Sequence, residues 1–169
     1  SFGERVCNLE TLKPIVSNFA VRAAEKLRSE KQKCSQVSVF VRTSPFNKNK
    51  PQHSDLKTIG LLTPTSDTRD ILVAAKKGLL PIFKPGYDYA KAGIILNKFT
   101  SEHVKQYALF KDPNDPKQNT GLMKYLDQMN TYETQIYYAS QNTKKWSPMK
   151  QNMTSPKYTT NWRELPKVN

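Results

Sequence analysis

From Leu9 onward, apolar residues recur at helical spacing: Leu9, Leu12, Val16, Phe19, Ala23 and Leu27, with Arg22, Lys26 and Arg28 on the outward side. Asn8 supplies a cap. Pro14 interrupts the stripe, so the expectation is a short turn from Leu9 and a main helix that holds Pro14 in its first turn, where a missing N–H costs little. The helix fades in "RSEKQK". The period then changes from about 3.6 to 2 in "QVSVFVRT", where Val37, Val39 and Val41 alternate with Ser38, Phe40 and Arg42, the pattern of a strand with one dry and one wet face. "SPFNKNKPQ" is rich in turn formers, and "HSDLKTIGLL" reads as an antiparallel partner strand ended by Pro64. A second helix follows in "TSDTRDILVAAKKGLLPIF", capped by Ser66 or Asp67, with Ile71, Leu72, Ala75 and Leu79 as its buried stripe. After "KPGY", residues Tyr87 to Leu96 form another strand, and the opening "SFGERV" supplies a fourth.

The order β-α-β-β-α-β predicts an α+β domain, a split βαβ unit with two helices on one face of a four-stranded sheet and the other face open. By the period-2 rule Ser38, Phe40, Arg42 and Ser44 lie on that open face, and Tyr87, Tyr89 and Lys91 share a face on the last strand. Past Phe99 the character changes. "KDPNDPKQNT" holds two Pro turns and no apolar residue, which marks a linker. "GLMKYLDQMN" predicts a short helix with Leu122, Met123, Leu126 and Met129 on one side, "TQIYYAS" a strand, and the remainder an irregular, aromatic segment. Three regions are expected: a domain over 1–99, a linker over 100–120 and a small α/β appendage over 121–169 that packs on itself or on a partner.

The net charge of +13 changes the picture, because an imbalance of that size points to a polyanionic partner, nucleic acid first. Basic and hydroxyl side chains on a flat sheet suit phosphates, which fix position without reading bases. A membrane is disfavoured: the longest apolar runs, "VSVFV" and "GIIL", fall far short of the roughly 18 residues needed to span a bilayer. The opening has no apolar signal-peptide core, and Cys7 and Cys34 make neither a disulfide framework nor a zinc pattern, which suits a reducing cytoplasm. His53 and His103 are too isolated to hold a metal. No nucleophile–base pair, phosphate loop or paired carboxylates are present, so the residues describe a binding module rather than an enzyme.

"VFVRTSPF" followed by "FKPGYDYAKAGIIL" resembles the little-finger domain of UmuC-type Y-family DNA polymerases. "QYALF" falls where that family carries its sliding-clamp peptide, and "GLMKYLDQMN" with "WSPMKQNMTSPKYTTNWRELP" resembles the UmuC C-terminal tail. The resemblance covers essentially the whole chain, with "SPKYTTNW" its most specific part. It implies the C-terminal part of a longer, error-prone translesion polymerase of the SOS response and DNA repair, in the bacterial cytoplasm and associated with the nucleoid. The parent enzyme's Mg-binding carboxylates would lie in the palm, outside this stretch, so this chain by itself is expected to be non-catalytic and to need no cofactor. Matching strands implies contacts to primer-template duplex from Arg42, Thr43, Ser44, His53, Ser54, Lys57 and Lys91, with Lys48 and Lys50 adding attraction from the hairpin loop.

In the clamp-binding pattern the Gln106 amide hydrogen-bonds the clamp while Leu109 and Phe110 fill an apolar pocket, worth about 1.5–3 kcal/mol each before the cost of ordering the loop. The bland alternative is that Tyr107, Leu109 and Phe110 pack on the protein's own core. The tail of this family is implicated in holding the processed UmuD dimer and in approach to RecA filaments, and Trp146, Tyr158 and Trp162 suit such a surface. A competing class is a stand-alone basic RNA-binding protein. That reading needs paired aromatics on the open face, for which Phe40, Tyr87 and Tyr89 are the candidates, although no "GFGFV"-like strand accompanies them.

Overall fold

The computed structural model of the chain describes residues 1–47, 49–104, 119–132, 136–141 and 153–165. Its elements are α1 (Leu9–Ser29), β1 (Gln32–Thr43), β2 (Ser54–Thr65), α2 (Thr68–Ile82), β3 (Tyr89–Ser101) and α3 (Thr120–Thr131), with one 3₁₀ turn at Trp162–Glu164. The sheet order is β2-β1-β3, antiparallel throughout, and α1 and α2 pack together on one of its faces. The fold is therefore α+β with a split βαβ order, but the sheet has three strands rather than the expected four. The opening segment does run beside β3: Val6 and Tyr89 exchange both backbone bonds (3.1 and 3.0 Å) and Phe2 N–H donates to Ala90 O at 2.9 Å. The chain bends at Gly3 and Glu4, so the pairing stays a single bridge while Phe2 and Val6 insert into the core.

β1 is paired on both sides, and Val37, Val39 and Val41 are completely buried beneath the helices. α2 comes close because Gly78 faces β1; a Cβ there would meet Val39 Cγ2 at 3.0 Å. The α2 stripe is the expected one, Ile71, Leu72, Ala75 and Leu79, and the cap is Asp67, whose carboxylate accepts Arg69 N–H at 2.9 Å. On α1, Asn8 caps as expected, accepting Thr11 N–H at 2.7 Å, but Pro14 does not divide the helix. Losing one backbone donor near the start is tolerated because Leu12, Ile15 and Val16 on the same turns are buried against the core. The stripe is rotated from the expected one. Ala20, Val21 and Ala24 are buried, whereas Leu9, Phe19 and Ala23 lie half-buried at its flank.

β2 runs through Pro64 instead of ending before it. As an edge strand it has donors without neighbours, and the pairing slips there: Gln36 faces Gly60 but Cys34 faces Thr65. β3 starts at Tyr89 and continues past Leu96 to Ser101. It carries irregularities near both ends. Arg42 pairs with Lys91 but Thr43 with Tyr89, and Lys98 has a left-handed φ of 53°. Beyond Lys98 the side chains change sides, so Phe99 joins Leu96, Ala23 and Leu27 around a 240 Å³ recess beside α1.

The tail packs on this unit. Asn119 caps α3, accepting Leu122 N–H at 2.9 Å, and only Met123 of the expected apolar side is fully buried; Leu126 and Met129 are half-buried and Leu122 is exposed. The joint is Arg28. From α1 it donates through Nε and Nη2 to the Asp127 carboxylate of α3 (2.6 Å each), and through Nη1 to Ser66 O (2.7 Å) and Thr68 Oγ1 (2.9 Å) at the start of α2. Asn119 N–H reaches Asp67 Oδ2 at 3.4 Å, Lys124 pairs with Glu102 at 2.7 Å, and Gln141 donates to Asn18 Oδ1 at 3.2 Å. Burial pushes the Asp67 carboxyl upward, but the hydrogen bonds from Arg69 and Asn119 outweigh it and hold the group below the ordinary carboxylate range. The "TQIYYAS" strand is absent from its described residues. Over 136–141 the backbone donors of Ile136 and Tyr138 go to the side chains of Asn130 (2.7 Å) and Gln141 (2.8 Å), not to a neighbouring strand.

Removing Asp127 leaves the Arg28 guanidinium buried without its counter-ion. Asp127→Ala is expected to lower unfolding free energy by about 3 kcal/mol, whereas Arg28→Met, which keeps the apolar stem and removes the charge, costs clearly less. Urea titrations of the three proteins check this; equal losses for both variants would contradict it.

Candidate nucleic-acid interface

Because β1 is central and its valines point to the helices, its even-numbered residues from Gln36 to Arg42 face away from them. Antiparallel register adds Ser54, Leu56, Thr58 and Gly60 from β2 and Lys91, Gly93, Ile95 and Asn97 from β3. These side chains form transverse rows. At one end lies Ser54–Arg42–Lys91, all exposed, and among the described residues neither cation has an acidic partner. Next is an apolar row, Leu56–Phe40–Gly93, with Ile95 beside it; Leu56 is 51 % and Ile95 43 % exposed. Then comes a polar row in which Ser38 and Thr58 hydroxyls meet at 2.8 Å and Asn97 donates to Ser38 Oγ at 3.1 Å. The face thus offers cations at one end and hydrogen-bonding groups already engaged with one another at the other.

The register breaks decide which expected residues reach this face. Tyr89, opposite Thr43, turns inward, and its hydroxyl takes Lys84 N–H (2.9 Å) and donates to Lys84 O (3.1 Å). Tyr87 is half-buried, with its ring 5.1 Å from that of His53. Tyr87, Tyr89 and Lys91 therefore do not share a face, and Phe40 is left as the aromatic ring of the open face among the described residues. The extra residue at Ala90 produces the difference by resetting alternation between Tyr89 and Lys91.

Other candidates sit elsewhere. Thr43 is buried and its hydroxyl donates to Gln52 Oε1 at 2.7 Å, while His53 turns toward α2 with Nε2 3.0 Å from Ile82 O. Lys57 pairs with Val39 and so belongs to the helix side of the edge strand. Ser44 is half-buried just beyond the cationic row. Lys50 is paired with the Asp88 carboxylate, whose hydrogen bond raises the lysine above its ordinary pKa and, with the one from Cys7 Sγ (3.2 Å), holds Asp88 below the carboxylate range. Burial pushes the Cys34 thiol up to about 11, and the hydrogen bond to Asp88 raises Cys7, so neither is an activated thiolate. Lys48, Gln106, Leu109, Phe110 and Trp146 lie outside the described residues. Tyr158 and Trp162 are exposed in the tail, Trp162 at 89 %. No cluster of metal-ligating side chains and no helix able to cross a membrane occurs among the described residues.

Sequence reasoning missed the Arg28 joint and the contact between Phe40 and Gly93. A Cβ on Gly93 would lie 2.6 Å from Phe40 Cε1, so the ring covers the glycine across the strand pair. Gly93→Ala should push the ring aside at a cost of about 1 kcal/mol. In a double-mutant cycle by urea titration, Phe40→Ala should remove that cost; a strictly additive cycle would refute the contact.

Residues 1–109 match the impB/mucB/samB family C-terminal domain, and residues 120–168 match a domain of unknown function (DUF4113). The chain is 44 % identical over 171 residues to Protein UmuC of Salmonella typhimurium, covering 99 % of this chain and 40 % of that protein. It is 41 % identical to Protein ImpB of Salmonella typhimurium and 39 % identical to Protein MucB of Escherichia coli, each over 98 % of this chain and 39 % of the relative. The chain thus spans about two fifths of the length of these relatives. A family model that covers most of the chain, joined by such identities from end to end, leads to one statement: the protein belongs to the impB/mucB/samB (UmuC) family and carries its C-terminal domain.

Proposed function

We propose that this chain is the DNA-holding and partner-docking C-terminal region of an error-prone translesion DNA polymerase. The observation that carries the reading is the Ser54–Arg42–Lys91 row, an exposed strip with unpaired cations at one end of an open sheet, in a chain of net charge +13 and of the UmuC family. Two cations and a hydroxyl in line suit successive phosphates of a backbone. Contacts to phosphates carry no sequence information, which fits an enzyme that must accept any template. Lys50, Lys48 and Ser44 would add attraction or contacts around the row, while Thr43, His53 and Lys57 act at most by supporting it. The RNA-binding alternative draws less support, because Tyr89 is buried and no aromatic pair lies on the face.

Docking to a sliding clamp through Gln106, Leu109 and Phe110 is the second half of the proposal, supported by the "QYALF" pattern directly after the sheet domain. The tail, with Trp146, Tyr158 and Trp162, would meet the processed UmuD dimer and RecA filaments. Catalysis would belong to parts of the polymerase outside this chain, where Mg would be held.

The DNA half is tested by fluorescence anisotropy over a series of KCl concentrations. Arg42→Ala/Lys91→Ala should weaken duplex binding for every sequence alike and flatten the log–log salt slope by about 2 units. An unchanged slope would remove the row from the interface. For the clamp half, calorimetry with a bacterial sliding clamp should give micromolar binding that Leu109→Ala/Phe110→Ala abolishes. Failure of the intact chain to bind would return those residues to internal packing.

A further inference from the structure

Beyond the cationic row, the loop joining β1 to β2 is held by interactions unusual for a solvent-facing connection. Asn47 N–H donates to Ser44 O at 3.3 Å, closing a turn with Pro45 and Phe46 at its central positions. Pro45 presets the first of these dihedrals. Gln52 bridges the loop, donating through Nε2 to Asn47 O (2.7 Å) and Lys50 O (3.1 Å), while its Oε1 accepts the Thr43 hydroxyl at 2.7 Å. The Lys50–Asp88 pair ties the loop to the start of β3. In the first turn of this braced loop the Phe46 ring is 91 % exposed. The turn does not require it there, since that position accepts Asn, Asp or Gly readily, and the ring contributes nothing to the core.

We propose that Phe46 is a base-stacking residue that contacts an unpaired nucleotide next to the duplex held by the Arg42–Lys91 row. The inference deepens the DNA-holding function and rests on it. Three residues separate Arg42 from Phe46, so the ring lies within about 14 Å of the row. It thus lies beside a backbone laid across the Ser54–Arg42–Lys91 row, on the hairpin-loop side, where an unpaired base can turn out from its phosphates to meet it. An unpaired base offers a π-face to a rigid aromatic whatever its identity, which preserves indifference to sequence. A protein pocket is the poorer occupant. Phe46 is flanked by Pro45, Asn47, Asn49 and Lys50 rather than by an apolar patch, and the exposed charges nearest along the strands, Arg42 and Lys91, are cationic.

The test compares the full 169-residue chain with Phe46→Ala and Phe46→Trp, on blunt duplex and on a primer-template with a single-stranded overhang, by anisotropy across a salt series. Phe46→Ala should weaken primer-template binding about 5- to 100-fold, leave the salt slope unchanged and leave blunt-duplex binding within about twofold. Phe46→Trp should retain affinity and show emission quenching on the overhang substrate beyond that of the unsubstituted chain. Equal affinity of Phe46→Ala and the unsubstituted chain on both DNAs overturns the proposal. An equal loss on both DNAs also overturns it, assigning the ring to the duplex groove. A loss confined to sliding-clamp binding, with DNA binding intact, overturns it in favour of a protein contact. If the unsubstituted chain binds neither DNA, the DNA-holding function itself falls, a result distinct from the others.

Discussion

A strand paired on both sides must send alternate side chains to opposite faces, and β1 is that strand. Val37, Val39 and Val41 are sealed under α1 and α2, which obliges Ser38, Phe40 and Arg42 to face away from the helices. A one-residue slip would exchange the two sets, burying Arg42 and exposing three valines, so the hydrophobic core itself enforces the position of the cationic row. The neighbours inherit that order through register: Ser54 and Lys91 lie beside Arg42 because Leu56 and Gly93 lie beside Phe40. The extra residue at Ala90 ends the inheritance. On one side of it Lys91 remains on the open face; on the other Tyr89 turns in and becomes one of the largest fully buried side chains.

The second constraint is electrostatic. Arg28 sits near the end of α1 with its charge buried, and its donors are divided between the first turn of α2 and the carboxylate of Asp127 on α3. A buried guanidinium without a counter-ion is costly, so the tail helix completes the helix layer instead of hanging from it. The same strap links two separately recognised regions, residues 1–109 and 120–168, at the level of one side chain. Met123 and the Tyr138 hydroxyl bonded to its sulfur at 3.4 Å supply the apolar part of the contact.

The helix and strand order of the sheet domain was readable because periodicity and turn chemistry agreed at nearly every step: Asn8 and Asp67 as caps, the α2 stripe, and the β1 alternation. What escaped reading depends on events that periodicity cannot register. The bulge at Ala90 breaks the count between Tyr87 and Lys91 without any Gly or Pro to announce it. The bends at Gly3 and Glu4 reduce an apparent strand to one bridge. Pro14 and Pro64 look like terminators, yet each lies where tertiary burial or an edge position absorbs the missing donor. Side chains with two plausible uses were hardest. Thr43 and His53 have the right chemistry for phosphates, but Gln52 and the His53 backbone engage the Thr43 hydroxyl, and Ile82 O at the end of α2 engages the His53 ring. A sequence states which groups can donate; only the fold states which are already occupied.

Charge distribution explains how so few unpaired cations on the open face could be enough. Of the 27 basic residues, the described part of that face carries only Arg42 and Lys91, while others, including Arg22 and Lys26, lie on the outer side of α1. At about 0.1 M salt the Debye length is roughly 10 Å, so distant lysines cannot grip a phosphate, although their summed field still draws a polyanion toward the domain. Attraction and placement are therefore divided. On the DNA-holding function proposed above, the net charge would raise the frequency of encounter without favouring an orientation, and the short Ser54–Arg42–Lys91 row, held in line by β1, would fix how a backbone lies across the sheet. Such a division would give an interface that is strongly salt-dependent and held through phosphates.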